Sequence, residues 1–384
     1  MTRTVRWLAW LWVVAFALGL IGLGIRVFTG ERLVGYGSYV SWGLWVALYF
    51  HAVGIAGGLF VVGAIGYLLR LPGLRDRLPV VLWTSAAALV TGLVAIGLDL
   101  GRPLRAVRMF VSPSFTSMMA FNSWMYVVFL ATLAACFVLL RRAATSQPRV
   151  DRSGWLVPLL GFGIVLGVAF PSQSGVFFGV VEAKPYWSSA LLPVLFLASA
   201  IAAGAAVLLL ILTFLPRVAE TPPNRTFDYL RWVTVGAVLI YFVLEFAEIS
   251  IALWSPASHA REPVELILAG PFWWVFWLVH VGGGLLAIAL LLKGRSLAAT
   301  GTGAFLVALT FVAARLNVLI PGQAFPELKG LGEAFQHPKL AFYYQATVPE
   351  YLVALFIGSL GVGLVYLGLR LLTGFTISKP ERAQ

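Results

Sequence analysis

Long hydrophobic runs recur along this chain, separated by short segments rich in Gly, Pro and charged residues. Ten of these runs approach the roughly 20 apolar residues that a helix needs to cross the hydrocarbon core of a bilayer. We therefore predict ten transmembrane helices. The predicted spans are Trp7–Val27, Val40–Leu69, Pro79–Leu98, Thr116–Leu140, Gly154–Phe170, Trp187–Leu215, Leu230–Trp254, Pro271–Leu292, Gly301–Leu319 and Thr347–Leu372.

Composition supports an all-α integral membrane protein. Hydrophobic residues make up 60% of the chain and charged residues only 11%, whereas a soluble domain is about half apolar and a quarter charged. Lipid must therefore be the solvent for much of the chain. The net charge of +12 would indicate nucleic-acid binding in a soluble protein. Here the basic residues lie in short loops between apolar runs, so we expect no nucleic-acid partner.

The distribution of basic residues predicts the orientation in the membrane. Seventeen of the 27 Lys and Arg residues lie at the termini and in even-numbered loops, and nine lie in odd-numbered loops. Positive residues stay on the cytoplasmic side. We therefore expect both termini in the cytoplasm and the loops near Arg102, Lys184 and Arg261 on the outer face.

A faint internal repeat relates span two, ALYFHAVGIAGGLFVVGAIG, to span six, LPVLFLASAIAAGAAVLLLI. Each has an aromatic residue, a polar or small stretch, and then small residues at helical spacing. This pattern favours two related four-helix bundles within one domain, at residues 39–175 and 187–320, with residues 1–27 and 347–372 as peripheral helices. The alternative is that small residues simply pack any two membrane helices.

Ionisable side chains inside a bilayer are costly and usually functional, so they are the first candidates for chemistry. His51 lies about 16 Å along span two from its outer end. A neutral imidazole there could bond a quinone carbonyl or carry a proton. Alternatively, His51 could be a packing residue bonded to a backbone carbonyl.

Further polar residues lie at the outer level of spans three to five. Asp99 and Arg102, in the run GLDLGRPLR, could form an ion pair, and Asp99 could take a proton from a quinol. They could also simply anchor the helix at the interface. Ser117 and Asn122 open span four, and Gln173 follows span five. Together with His51, these groups predict the apolar slot with a few convergent polar groups that a quinone pocket needs.

The second half of the chain has its own ionisable set. Glu245 and Glu248 are three apart and share a helix face. His280 lies midway along span eight, Arg315 lies in span nine, and Glu350 begins span ten. An inward-facing chain of these residues would be a proton relay. A salt bridge between Arg315 and one of the glutamates is the structural alternative.

We expect no haem, iron–sulfur cluster or metal in this chain. The single cysteine, Cys136, cannot hold a cluster, so any cluster must belong to a partner. His51 and His280 lie at comparable depth, which leaves a haem with two histidine ligands as an alternative. The sequence also has no phosphate-binding loop and no nucleophile motif.

Four stretches of the sequence resemble the NrfD/PsrC family of polysulfide-reductase-type membrane subunits, and the ten-span length resembles its longer branch, similar to HybB and DsrP. These stretches are YVSWGLWVALYFHAVGIAGG (39–58), LDLGRPLRAVRMFVSPSFTSMM (98–119), FPSQSGVFFGVVEAKPYWSSALLPVLFLASAIAAG (170–204), and ARLNVLIPGQAFPE with YYQATVPEYLV (within 314–353).

The resemblance implies a subunit of a respiratory oxidoreductase in a prokaryotic cytoplasmic membrane. Such subunits bind menaquinone or ubiquinone near the outer face. They exchange electrons with a ferredoxin-like iron–sulfur subunit docked there, which serves a further catalytic subunit. His51 and Asp99 match positions implicated in quinone binding and proton handling. Gln173 departs from the family, because many relatives carry an aromatic residue or a histidine in this region.

Two other classes of function fit the residues. A secondary transporter would bind its substrate at the midplane between inverted repeats. The faint repeat here relates two spans of the same direction, so it is parallel. A purely structural anchor would use its polar residues only to lock helices together.

Overall fold

The computed structural model describes residues 3–112, 114, 116–145, 153–214, 225–255, 260–294, 296–326, 328, 330–334 and 337–372. Within these ranges the chain is helical with no strand, and ten helices are long and apolar enough to cross a membrane. The prediction of an all-α fold with ten spans is thus confirmed. The helices are α1 (Arg3–Thr29), α2 (Leu44–Leu68), α3 (Leu78–Asp99), α4 (Met118–Thr145), α5 (Ser153–Gly179), α6 (Leu192–Thr213), α7 (Arg225–Trp254), α8 (Val275–Lys293), α9 (Leu297–Leu319) and α10 (Val348–Leu372).

Several predicted boundaries need correction, those of α5 and α6 among them. Helix α5 continues past Phe170 and through Pro171 to Gly179, so Gln173 lies inside the helix rather than after it. The hydroxyls of the following serines bond carbonyls one turn back, Ser172 to Val168 and Ser174 to Phe170. Helix α6 begins at Leu192 instead of 187. The preceding residues form turns instead of a helix.

Helix α8 opens with a π-helical segment, Val275–Gly282, and becomes α-helical from Gly283 to Lys293. A π-helix is wider than an α-helix and is found mostly as short segments, frequently at functional sites. His280 lies in this segment. The hydrophobic pattern alone does not distinguish the two helix types, so the π-helical segment could not be predicted from it.

The ten helices pack as two rings of four and one peripheral pair. In the first ring, α2, α3, α4 and α5 each contact their two neighbours, and in the second ring α6, α7, α8 and α9 do the same. Helices α1 and α10 pack on each other, and α10 leans on α3 and α2. We call the two rings the first and second bundle.

Helices α2 and α6 are the most buried spans and join the two bundles. Gly54 and Gly58 of α2 face Ala200 and Gly204 of α6, and the contact positions rise together, so the helices run parallel. A Cβ added at Gly58 would lie only 1.9 Å from the carbonyl oxygen of Ala200. Glycine is therefore required for this approach. The small-residue stretches that suggested the repeat are the surface on which the bundles meet.

Candidate functional site

Helix α3 ends at Asp99, and we call that side of the membrane the Asp99 side. The predicted quinone-site residues lie toward this side, but they fall into separate environments around α2. Residues two apart on an α-helix point about 200° away from each other. Tyr49 and His51 of α2 accordingly face different bundles, and the contacts below follow that division.

His51 faces the second bundle. Its Nε2 lies 2.7 Å from the backbone carbonyl oxygen of Ala308 in α9. A carbonyl only accepts hydrogen bonds, so Nε2 must carry a proton, and Nδ1 is the ring nitrogen that is left to exchange one. His51 lies about 10 Å along α2 from its first residue. This is shallower than the predicted depth, because α2 begins at Leu44 rather than Val40.

Asp99 is 9% exposed, and its Oδ1 has no hydrogen-bond partner among the described residues. The groups facing it include Glu31, Tyr36 and Arg26. Burial raises the pKa of the Tyr36 hydroxyl, and the negative charges of Asp99 and Glu31 raise it further. That hydroxyl therefore stays protonated and can donate toward Asp99.

The arginine beside Asp99 is Arg26, not Arg102. Arg26 donates from Nε to the Leu98 carbonyl at 2.8 Å and from Nη2 to the Leu100 carbonyl at 3.2 Å, so it caps the end of α3. Arg102 is exposed and is not among the charged groups that face Asp99. The predicted Asp99–Arg102 pair does not form, because the chain turns away after Leu100.

Asn122 and Gln173 lie on neighbouring helices of the first bundle. Asn122 is 4% exposed, and its amide Oδ1 has no partner among the described residues. The Gln173 amide donates to the sulfur of Met118, which is a weak acceptor. Ser117 caps the start of α4 by accepting from the Ala120 amide at 3.4 Å. Asn122 and Gln173 thus have unused capacity to bond a ligand, whereas Ser117 serves the backbone.

A pair of tyrosines extends this group toward α2. The hydroxyls of Tyr49 and Tyr126 lie 2.8 Å apart, and Ser174 of α5 lies beside Tyr126. Helix α3 packs on α2 at Tyr49 through Gly92, and Asp99 is seven residues further along the same face of α3. We call Tyr49, Asn122, Tyr126 and Gln173 the first-bundle cluster. Asp99 lies apart from it, among Arg26, Glu31, Tyr36 and Glu350.

The second bundle contains a histidine hydrogen-bonded to a glutamate. His280 is fully buried, and its Nε2 lies 2.9 Å from Glu245 Oε2. Tyr241 donates from its hydroxyl to Glu245 Oε1 at 3.2 Å. One turn along, Glu248 accepts from the Ser189 hydroxyl at 2.8 Å. Both glutamates lie near Tyr186, whose hydroxyl pKa is raised by burial and then by Glu245 and Glu248.

Arg315 and Glu350 do not join that pair. Arg315 donates from Nη2 to the Phe196 carbonyl at 3.2 Å and stacks 3.9 Å from the centre of the Phe196 ring. Glu350 caps α10 and accepts from the Gly35 amide at 2.6 Å and from the Tyr344 hydroxyl. The structure therefore brings together only Glu245, Glu248 and His280 of the predicted relay. Neither glutamate pairs with Arg315. Glu245 is bonded to His280 instead, and Glu248 is bonded to Ser189.

An apolar groove of about 540 Å³ opens between α4 and α5. Its lining is entirely hydrophobic and lies at the end of these helices away from Asn122 and Gln173. It therefore does not match the predicted slot with convergent polar groups. The lining residues are Ala135, Val138, Leu139, Trp155, Pro158, Leu159 and Phe162.

Several tyrosines escaped the sequence-based prediction. Tyr126 follows Asn122 by four residues, and Tyr241 precedes Glu245 by four, so each shares a helix face with a predicted residue. That spacing could have identified both. Tyr36 lies in a loop, and its approach to Asp99 depends on how the loop folds back, for which the sequence carries no signal.

A family model described as polysulphide reductase, NrfD, matches residues 33–327. The match covers most of the chain, including both bundles. The chain belongs to the NrfD family. The resemblance found in the sequence is thus confirmed, and the protein is a multi-pass membrane protein of that family.

Curated relatives of this NrfD-family chain include three membrane or reductase proteins. A selenate reductase subunit of Mesobacillus selenatarsenatis is 27% identical over 87% of this chain and 86% of its own length. The Hdr-like menaquinol oxidoreductase integral membrane subunit of Archaeoglobus fulgidus is 26% identical over 77% and 74%. Protein NrfD of Escherichia coli is 25% identical over 66% and 84%. These names support a membrane-anchor role in an oxidoreductase complex.

Proposed function

We propose that this chain is the quinone-reactive membrane subunit of a respiratory oxidoreductase. The observation that carries the proposal is the first-bundle cluster, where the buried Oδ1 of Asn122 has no partner among the described residues and Gln173 donates to a sulfur, a weak acceptor. A buried unsatisfied polar atom costs about 1–3 kcal/mol, so such atoms mark a place where a polar ligand would be stabilised. The menaquinol oxidoreductase relative supports a quinone as that ligand.

The quinone head binds between α2, α4 and α5. Asn122 offers an amide donor to a quinone carbonyl and an amide acceptor to a quinol hydroxyl, and Gln173 offers the same pair of groups. The Tyr126 hydroxyl supplies a further donor or acceptor. Menaquinone and ubiquinone both fit these groups. Quinol oxidation releases two electrons and two protons, and quinone reduction takes up the same number.

Asp99 handles one of these protons at the membrane surface. Its carboxylate accepts a proton from the quinol and is flanked by a protonated tyrosine, Tyr36. His51 contributes differently from the sequence-based prediction, since it faces α9 rather than the first-bundle cluster. Its free Nδ1 is a proton acceptor at the boundary between the bundles. We therefore expect His51 to affect turnover more than quinone binding.

The electrons pass to or from a partner on the Asp99 side. No group of three or more His, Cys, Asp or Glu suited to a metal is found among the described residues. We propose that a ferredoxin-like iron–sulfur subunit docks on the outer face and serves a further catalytic subunit. Both termini then lie in the cytoplasm of a prokaryotic cell, with the chain in its cytoplasmic membrane.

Proton translocation is a second candidate function, and it rests on the second bundle. A carboxylate, an imidazole and a tyrosine hydroxyl are hydrogen-bonded in series at Glu245, His280 and Tyr241. Such groups can pass a proton along a chain. Glu248→Gln should lower the number of protons translocated per electron. An unchanged ratio, in a complex with normal quinol turnover, would refute this path.

A fluorescence-quench titration with a quinol analogue tests the main proposal. The subunit, purified with its partners, should bind one analogue saturably, and Asp99→Asn and Asn122→Ala should each weaken binding. His51→Ala should leave binding nearly unchanged and slow turnover. If His51→Ala weakens binding as much as Asn122→Ala does, the quinone head binds on the side of α2 that faces α9 instead.

Other results would favour a transporter or a purely structural anchor. Absence of saturable binding to the wild-type complex would reject the quinone site. Substrate movement in vesicles that lack the partner subunits would then indicate a transporter. Normal quinol turnover in Asp99→Asn, Asn122→Ala and His51→Ala would indicate a purely structural anchor.

A further inference from the structure

The connection between α3 and α4 carries three arginines and five large apolar residues within ten positions, RPLRAVRMFV. It folds as a 3₁₀ helix, Pro103–Val107, followed directly by one α-helical turn, Arg108–Val111. No acidic residue occurs between Asp99 and the start of α4. We call residues 102–111 the arginine segment.

One face of the arginine segment rests on the protein. In a 3₁₀ helix, residues three apart share a face. Ala106 and Met109 are three apart and are the half-buried members of the segment. The Met109 sulfur accepts a hydrogen bond from the Ser123 hydroxyl of α4 at 3.8 Å. The segment is therefore held in place by α4, with its other two faces turned outward.

The second face is apolar and exposed. Leu104, Val107 and Val111 are 87%, 57% and 76% exposed. The neighbouring Phe110 packs edge-on against Trp124 of α4, with ring centres 5.4 Å apart. Trp124 belongs to the exposed apolar side of α4, together with Phe121 and Val128. In a membrane helix that side meets lipid, so the apolar face of the segment continues a lipid-facing surface.

The third face is basic. Arg102, Arg105 and Arg108 recur every three residues, and all three are exposed. None of them forms an ion pair with an acidic side chain in the part of the chain that the structure describes. A guanidinium group matches the geometry of a phosphate and binds it with two parallel hydrogen bonds. A row of three such groups beside a lipid-facing surface is suited to phospholipid headgroups.

We propose that the arginine segment is an interfacial anchor that binds anionic phospholipid headgroups on the Asp99 side of the membrane. Its apolar face enters the acyl-chain boundary, and its arginines contact the phosphates, as in amphipathic helices that lie in the membrane surface. A membrane fits better than a docked protein, because the apolar face is continuous with the lipid-facing side of α4. The inference is independent of the quinone proposal.

Site-directed quenching in nanodiscs tests this proposal with the full-length chain. An environment-sensitive fluorophore is placed at Val107→Cys in a Cys136→Ala background, since Cys136 is the only native cysteine. We expect nitroxide-labelled lipid to quench the fluorophore more than aqueous iodide does. Nitroxide-labelled phosphatidylglycerol should quench more than nitroxide-labelled phosphatidylcholine at equal mole fraction.

The charge dependence is tested with matched double variants. Arg105→Gln with Arg108→Gln should lower the local preference for phosphatidylglycerol by roughly fivefold for each arginine, since a basic residue near an anionic surface contributes about 1 kcal/mol. Arg70→Gln with Arg75→Gln removes two exposed arginines from the other side of the membrane and should leave the quenching ratio unchanged.

Two results would overturn the proposal. Equal quenching by the two labelled lipids in the wild-type protein would show that headgroup charge is not recognised. Strong quenching by iodide and weak quenching by lipid would place residue 107 in water. If that iodide access disappeared when the partner subunits were present, the segment would be a protein-docking surface.

Discussion

Each bundle holds one buried histidine, and the two differ in what accepts their hydrogen bond. His51, at the edge of the first bundle, bonds a backbone carbonyl at 2.7 Å. His280, inside the second bundle, bonds the Glu245 carboxylate at 2.9 Å. A carbonyl orients a neutral ring, whereas a carboxylate can also stabilise a positive one. Residue type and depth alone would have given the two histidines the same role.

The surroundings reinforce this difference. His280 is enclosed by the rings of Tyr241, Phe242, Phe276 and Phe311. The first-bundle cluster instead offers neutral amides and hydroxyls, among them Asn122 and the bonded pair Tyr49 and Tyr126. The first bundle is therefore suited to binding a neutral polar ligand, and the second to holding a proton. Matched substitutions in the two bundles test this division.

The largest effect is expected from removing His280. His280→Ala leaves Tyr241 as the remaining donor to the largely buried Glu245, and the lost hydrogen bond should lower the free energy of unfolding by about 1.5–3 kcal/mol beyond the lost packing. His51→Ala removes one bond to a carbonyl that is also part of a helix, and the lost hydrogen bond should cost about 1 kcal/mol beyond the lost packing. Reversible unfolding in mixed micelles measures both.

Glu245→Gln with His280→Gln is the control for this comparison. It removes both titratable groups and keeps side chains that can bond each other, so it should recover much of the stability lost in His280→Ala. Equal destabilisation by His280→Ala and His51→Ala would mean that water reaches Glu245 and that the His280–Glu245 hydrogen bond is not strengthened by burial.

The contact between the bundles should be the next most sensitive feature. Gly58→Ala places a methyl group against the Ala200 carbonyl and should cost about 1–3 kcal/mol, because the two helices must move apart. Gly97→Ala is the matched control, since no atom lies within 4 Å of a Cβ added there. It should stabilise α3 by about 0.5–1 kcal/mol. If Gly58→Ala left the free energy of unfolding unchanged, the contact between α2 and α6 would not depend on glycine at this position.

A smaller effect is expected when the two buried asparagines are compared for their contribution to binding of the quinol analogue. Asn122 and Asn317 are 4% and 3% exposed, and each has one amide atom without a partner among the described residues. Asn122→Ala should weaken binding of the quinol analogue about tenfold, because about 1.4 kcal/mol of hydrogen bonding is lost. Asn317→Ala, in the second bundle, should leave the dissociation constant within about twofold of the wild-type value. The reverse order would move the quinone site to the second bundle.

Hydrophobic patterning predicted the helices but not which side chains meet. The ten spans follow from hydrophobic runs, since lipid forces backbone hydrogen bonds to close within each helix. Which way His51 points depends on the register of α2 against α6 and α9, and that register is set by close contacts such as Gly58 with Ala200. Those contacts join residues far apart in the chain, so local patterns did not reveal them.

Charge pairing shows the same limit. The nearest arginine to Asp99 in sequence is Arg102, yet Arg26 from α1 caps α3 beside it. The glutamates of α7 had Arg315 as a plausible partner, but His280 is bonded to Glu245. In each case the observed partner comes from another helix. It differs from the partner predicted from closeness in sequence, for Asp99, or from opposite charge, for the glutamates.

The smallest predicted difference concerns two tyrosine hydroxyls, one in each bundle. Tyr49 bonds the neutral Tyr126 hydroxyl, whereas Tyr241 donates to Glu245. Hydrogen bonds to charged groups contribute about 1.5–3 kcal/mol and neutral ones about 0.5–1.5. Tyr241→Phe should therefore lower the free energy of unfolding by about 1 kcal/mol more than Tyr49→Phe, because both changes keep the ring and remove one oxygen. Equal losses would mean that Glu245 is no stronger an acceptor than the Tyr126 hydroxyl, and the proposed difference between the bundles would not hold at these two positions.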